Sequence, residues 1–461
     1  MLIYNKLIKY FYHSIASSPA NRPSAAQIIL TFFTPVTTLL IIILYSTNVP
    51  FYDQWRFVPL LGQMYDQNIS FSSLWEQHNE HRIIFPRILM LALAALSHWD
   101  IRVEIGAIWI MAMGLFFVLC RAADRQFGSR EKSGKLNRPY AIYVAFSFLI
   151  FSMVQSENWF WGWQITIFMS VLSTVCGYYI LIFKPFGTNV SLLASIACGT
   201  IAMFSFANGF LYWPVGLFVM LMDSSKDKYS PKEYLLWIIT ATLLYGSYFY
   251  NYKQVAHHPS FLYGFSNPIN LIGYFIAFVG SPIFQAGRYI TISLIVGFLG
   301  LSAVIYLVLT LLRQQRLFDH KLLFWHSLLL YVFSTDVVTA LGRSGFGVEQ
   351  ALSSRYVTIS NLLWIWILVI TYEVVNYHTY RRGYKLFPLV FFAACMLILL
   401  SGVRNIKVSR LDQQKLLSHE KQLRSGKLDK MTLTKIYQES PELVLYGNAI
   451  LKKHHLSFYA H

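Results

Sequence analysis

Residues 27–47 read QIILTFFTPVTTLLIIILYST, an apolar stretch with no charged side chain, and NVPFYDQW follows at 48–55. About 20 such residues wound as a helix cross the roughly 30 Å hydrocarbon core of a bilayer. Further runs of this kind lie at about 101–120, 139–155, 165–183, 189–206, 209–222, 234–250, 289–312, 322–341, 357–375 and 386–403. Over all 461 residues, 56% are hydrophobic, 17% aromatic and only 13% charged, where soluble domains carry about 25% charged residues. The expected fold class is therefore an all-α polytopic membrane protein of about 11 transmembrane helices plus juxtamembrane helices. So many Phe, Tyr and Trp also exclude a disordered or coiled-coil chain. The four cysteines fall inside apolar runs, with no disulfide framework or zinc spacing.

A formal charge of +17 suggests nucleic acid only until the charges are placed. Two more apolar stretches, 83–99 and 270–284, decide the topology. If they lie in the interface, 19 of the 38 Lys and Arg fall in one set of loops: the N-terminal segment, 121–138, Lys184, 226–232, 313–321 and 381–385. The other set holds only eight before residue 404, among them Arg56, Arg82, Arg343 and Arg355. By the positive-inside rule the first set is cytoplasmic. This gives a cytoplasmic segment 1–26, a transmembrane domain 27–403 with an outer loop 48–100, and an outer tail 404–461. The tail carries the last 11 basic residues, but charge beside the spans weighs most in orientation. Membrane lipids are the expected surroundings, nucleic acid is not a partner, and no internal repeat marks inverted transporter halves.

The outer loops hold polar residues among aromatics. Tyr52-Asp53-Gln54-Trp55 sets a carboxylate just past the first span. Partial burial there raises a carboxyl's pKa and makes it a better proton acceptor, while an aspartate at this place also suits the N-cap of a helix starting near Trp55. Next comes Glu76-Gln77-His78-Asn79-Glu80-His81-Arg82. Wound as a helix, it puts His78, His81 and Arg82 on one face, able to meet one anion, with Glu80 turned toward Asp53. An interfacial helix with a mixed polar face accounts for the same residues. His and Glu also bind zinc or manganese, yet the spacing is not that of HExxH, so no cofactor is expected and a divalent metal has no support.

In Gln155–Gln164, Glu157 and Gln164 flank a tryptophan cluster that includes Trp161. Such a group can stack and hydrogen-bond a sugar, or form an interfacial aromatic belt. Asn208-Gly209 is first a turn signal. His257 and His258 suit a solvent-facing loop. In 342–356, glycines allow close backbone approach beside Arg343 and Arg355, whose guanidinium forks match phosphate oxygens; pairing with Glu349 and lipid headgroups is the alternative.

Taken in order, YDQW, HNEHRIIFPR, ENWFWGWQ, FANGFLYWP and SRYVTISNLLW resemble the GT-C superfamily of integral-membrane glycosyltransferases, in a bacterial branch modifying cell-surface polysaccharides such as O-antigen. The resemblance covers about 27–400 and rests on the order of several motifs. It implies a polyprenyl-phosphate sugar donor, a cell-envelope polysaccharide or lipid acceptor, a bacterial inner (plasma) membrane, and inverting displacement with Asp53 as general base. Arg355 or Arg343, with Arg82, His78 and His81, would meet the leaving phosphate. Glu157, Trp161, Gln164 and Asn208 would face sugar or acceptor. Many relatives carry two adjacent acids where this chain has Asp53-Gln54, which leaves Glu80 or Glu157 as a second carboxylate. The alternative is a transporter or flippase of lipid-linked saccharides, which should carry mid-span ionisable residues. This chain has few, among them Asp336 and Glu373, which sit toward span ends. A structural subunit without chemistry would leave the polar loops without a task.

Overall fold

A computed structural model describes residues 24–130, 136–137, 139–223, 228–255, 259–284, 290–377, 387–426 and 428–460. His257, His258 and the N-terminal basic residues lie outside them. In chain order the helices are α1 Ala25–Tyr45, α2 Gln54–Tyr65, α3 Phe71–Trp75, α4 Ile84–Ser97, α5 Ile101–Phe127, α6 Tyr140–Ile150, α7 Ser156–Phe160, α8 Ile165–Phe183, α9 Thr188–Met203 and α10 Tyr212–Met222. They continue as α11 Pro231–Phe249, α12 Phe261–Ser266, α13 Pro268–Gly280, α14 Ile290–Arg313, α15 Leu323–Arg343, α16 Val357–Tyr377, α17 Phe387–Ser425, α18 Lys430–Ile436 and α19 Pro441–Lys453. Two hairpins of two-residue strands, β1 Gln77–His78 with β2 His81–Arg82 and β3 Ser129–Arg130 with β4 Leu136–Asn137, are the strands among the described residues.

Every apolar run is built on a helix. Among the described residues, seven helical stretches are long and apolar enough to cross a membrane: Ala25–Tyr45, Ile101–Phe127, Tyr140–Phe160, Gly162–Phe183, Ile290–Arg313, His320–Phe346 and Ser354–Val375. Ile84–Ser97, Thr188–Met203, Ala207–Met222 and Pro268–Gly280 are apolar but shorter. The runs at 189–206 and 209–222, expected as full spans, thus fall short, and those at 234–250 and 386–403 form helices that are not among the seven. The chain leaves helix at Phe204 and forms a buried turn over Ala207–Leu211 that sinks between the helices. Gly209 allows this, because a Cβ there would collide with the Ala202 carbonyl.

Helix contacts in the bundle are partly polar, as expected where lipid gives no hydrophobic reward for association. Pro35 interrupts α1 and lacks the N–H that would bond the Thr31 carbonyl. Ser147 of α6 donates to that carbonyl at 2.6 Å, and Thr38 donates to Phe151 O at 2.7 Å. Outward, Ile43, Leu96, Leu243 and Phe298 are mostly exposed, an apolar girdle that suits lipid. The chain is an all-α, multi-pass membrane protein.

Helix α17 runs without a break past residue 403 to Ser425. Asn405 Nδ2 donates to Met153 and Val154 carbonyls, and Gln413 Nε2 to Leu44 O. The tail therefore emerges at the same end of the bundle as the loop after α1, and α18 and α19 return across that loop.

Candidate functional site

The site is built on the turn that joins α1 to α2. Tyr52 sits at φ 44, the left-handed region that a bulky residue enters at a cost. The kink brings Asp53 to the first position before α2, but its side chain makes no cap hydrogen bond, so the capping alternative does not hold. Gln54, fully buried, donates Nε2 to Glu104 Oε2 at 2.9 Å, and Trp99 Nε1 donates to Glu104 Oε1 at 2.8 Å. An amide at 54 can bond Glu104, where a second carboxylate would face it unpaired. Gly162 closes the same group, since a Cβ there would collide with the Glu104 carboxylate.

The Glu76–Arg82 stretch is a hairpin, correcting the helical expectation. His78 pairs with His81 across the strands, and Asn79 turns the chain at φ 48, a conformation Asn tolerates better than most residues. His78 is buried with Nε2 3.7 Å from Asp53 Oδ1, an ion-pair distance too long for a hydrogen bond. Its ring packs against Trp163 with centroids 4.7 Å apart. His81 accepts from the Ala207 N–H at Nδ1, 3.0 Å. Burial drives its pKa down to about 4, with the Glu80 carboxylate opposing, so His81 is neutral near pH 7 and is not a cation for phosphate at that pH. Glu80 pairs with Arg343 rather than with Asp53, and that pairing replaces the Arg343–Glu349 alternative.

Arg82 lies apart from these groups. Its guanidinium donates to Tyr248 O at 2.6 Å, to Trp75 O at 2.9 Å and to Tyr250 O. Three carbonyls consume its fork, so Arg82 ties the hairpin to the end of α11. Asn208 is buried in the turn after α9. Trp161 and Gln164 are buried, the indole donating to Phe51 O at 3.0 Å, so the tryptophan cluster is packing for the turn at 51–53 and not an open platform. Tyr52 stacks edge-on over Trp161 at 5.7 Å and is the exposed ring of that group.

Arg355 is held by a lattice between two segments. Arg355 N donates to Glu157 Oε2 at 3.2 Å, Glu157 N to Ser354 Oγ at 3.0 Å, and Asn158 Nδ2 to Thr358 Oγ1 at 2.8 Å. Its guanidinium stands 5.4 Å from the Tyr356 ring centroid, within electrostatic reach of Glu157 and Asp53. Among the described residues no carboxylate is ion-paired with it.

Asp53 departs from the sequence expectation. Burial pushes its carboxyl up, but the facing His78, with Arg56 and Arg355 beyond, outweighs burial, so its pKa lies below the ordinary value. The side chain is 20% exposed. Residues that local sequence did not signal also reach it: Arg56, and Tyr437 from the tail, whose hydroxyl lies 3.4 Å from Asp53 Oδ1. Among the described residues no three His, Cys, Asp or Glu side chains stand close enough to share a metal ion.

The fold and this group define a multi-pass membrane protein with a charged, half-buried cluster at one end of its bundle. No family model and no curated protein matches the chain. Among solved structures it is similar to the crystal structure of ArnT from Cupriavidus metallidurans bound to undecaprenyl phosphate, with a TM-score of 0.45 and 12% identity, over 95% of this chain and 79% of that one.

Proposed function

We propose that the chain is a GT-C-type glycosyltransferase that moves a sugar from a polyprenyl-phosphate donor to a cell-envelope glycan or lipid acceptor. The observation that carries this is a half-buried Asp53 carboxyl within electrostatic reach of an Arg355 guanidinium that has no ion pair among the described residues. A carboxylate held below its ordinary pKa stays in the accepting form at neutral pH. It takes the acceptor hydroxyl's proton as that oxygen bonds to the anomeric carbon, and the bond to phosphate breaks with its electron pair leaving on the phosphate. Arg355, with Arg343 nearby, meets that charge. Positioning and electrostatics supply the rate, with no covalent intermediate.

On this reading the loop 48–100 and the tail 404–461 face outward from a bacterial inner membrane, and segment 1–26 is cytoplasmic. The tail packing on the loop supports placing both on one side. The bundle offers one observation for transport of a lipid-linked saccharide instead: Asp336 is fully buried in α15, and neither carboxylate oxygen has a hydrogen-bond partner among the described residues. Purified protein in liposomes, offered a panel of polyprenyl-phosphate sugars and envelope acceptors, separates the two. Sugar transfer with release of lipid phosphate supports the transferase, whereas movement of intact donor between leaflets establishes transport.

A further inference from the structure

The C-terminal segment reaches the cluster from more than 380 residues away in sequence. It is anchored at several points. A Cβ at Gly447 would stand 3.1 Å from the Trp55 ring, and one at Gly62 would stand 3.3 Å from Ile450, so α19 packs closely on α2. Ser457 donates from its backbone N–H to His98 O at 2.8 Å and from Oγ to Asn48 O at 2.8 Å. Just before these anchors in sequence, Tyr437 is 2% exposed. Arg56 Nε donates to its hydroxyl oxygen at 2.7 Å, which directs the single phenolic proton toward carboxylates: Asp53 Oδ1 at 3.4 Å or Glu439 Oε2 at 3.0 Å. Glu439 is half exposed and ion-paired with Arg56 at 2.9 Å.

We infer that Tyr437 is a positioning residue for Asp53, donating its hydroxyl proton to one carboxylate oxygen so that the other faces the acceptor, with Glu439 competing for that same proton. This rests on the proposed role of Asp53 as base. A phenol already accepting from a guanidinium is a stronger donor, because hydrogen bonds in a chain polarise one another. The charged and titratable groups facing Asp53 are His78 and His81 from the hairpin, Arg56 from α2, Arg355 from the turn before α16, and Tyr437 from the tail.

The test is the pH dependence of sugar transfer by the full chain in liposomes. Activity falls as Asp53 is protonated, so losing a donor to its carboxylate moves the acidic limb to higher pH. Tyr437→Phe keeps the ring and is expected to lower kcat about three- to tenfold, leave the donor KM within about twofold, and shift the limb upward. Glu439→Gln, on an exposed side chain, leaves only a weaker, neutral acceptor in competition, turns the hydroxyl more toward Asp53 and shifts the limb downward, and the double variant follows Tyr437→Phe. A limb that stays put in both single variants, with only melting temperature changed, overturns the inference and makes the tail structural. If Tyr437→Phe does not accumulate, Glu439→Gln decides alone: an unmoved limb overturns the inference. Wild-type protein that transfers no sugar breaks the proposed function itself. An active wild type, a dead Asp53→Asn and a Tyr437→Phe indistinguishable from wild type break only the inference.

Discussion

The two ends of the bundle use similar side chains to opposite effect. At the end away from Asp53, Lys184 Nζ stands 3.0 Å from Asp223 Oδ2, and His320 Nδ1 stands 2.8 Å from Asp223 Oδ1. Nearby, Arg316 pairs with Glu373, which also accepts from Gln126 Nε2 at 3.0 Å. Each charge there is answered by its neighbour, so these networks lock loops. At the other end Glu80 and Arg343 are closed in the same way, yet Arg355 has no ion pair among the described residues and Asp53 reaches His78 only at 3.7 Å. Charges held near one another but not joined are what a ligand can complete, since separated buried charges gain most from a new partner.

The largest effect should come from Asp53→Asn, which keeps shape and removes the proton acceptor. Transfer should drop about a thousandfold, with insertion and melting temperature close to wild type, measured by donor turnover in liposomes. Turnover near the wild-type rate would move the base to another carboxylate. Next is Arg355→Ala, expected to reduce kcat/KM about a hundredfold, with Arg355→Lys recovering about a tenth of the wild-type value, because lysine keeps the charge but not the planar fork. Equal losses in both variants would remove bidentate phosphate contact from the mechanism.

The comparison also shows what could be read in the sequence and what could not. Apolar runs made the helices legible, and the position of Asp53 past α1 pointed to the end of the bundle where the candidate site's charged cluster gathers. The hairpin was not, because His78, Asn79 and His81 satisfy helical spacing as well as a turn, and the choice is made at a distance: Tyr248 and Tyr250 carbonyls capture Arg82, and the Ala207 N–H captures His81. Gln54 read as a missing acid, whereas its partner Glu104 lies 50 residues on. Asp53 was expected to titrate high from burial alone; the groups that oppose it, His78, Arg56 and Arg355, come from three separate segments. Tyr437 gave no local signal, since its contact exists only after the tail has folded back.

A variant at a third position probes the closed end. Lys184→Met removes a hydrogen bond to a buried carboxylate and the cation over the Tyr229 ring, 4.2 Å from its centroid. It should cost about 2 kcal/mol of stability, read as a lower melting temperature in detergent, with kcat per folded molecule within about twofold. A loss of turnover like that of Asp53→Asn would show the two ends are not separate in function.

The smallest effect lies in the pH response of the hairpin. His81 is held at about 4 in the folded chain against 6.5 when free, chiefly by burial. A depressed histidine is neutral when folded and protonates on unfolding, so its contribution is fully present above pH 6.5 and is lost as pH falls from there toward 4. Between pH 7 and 5.5 the loss should be roughly 1 kcal/mol. Asparagine can present an oxygen where Nδ1 accepts the Ala207 N–H, and it does not titrate. The fall in melting temperature over this interval should therefore be shallower in His81→Asn than in wild type. Equal slopes would mean that the ring is already solvated in the native state, and His81 would then be able to carry charge toward a phosphate.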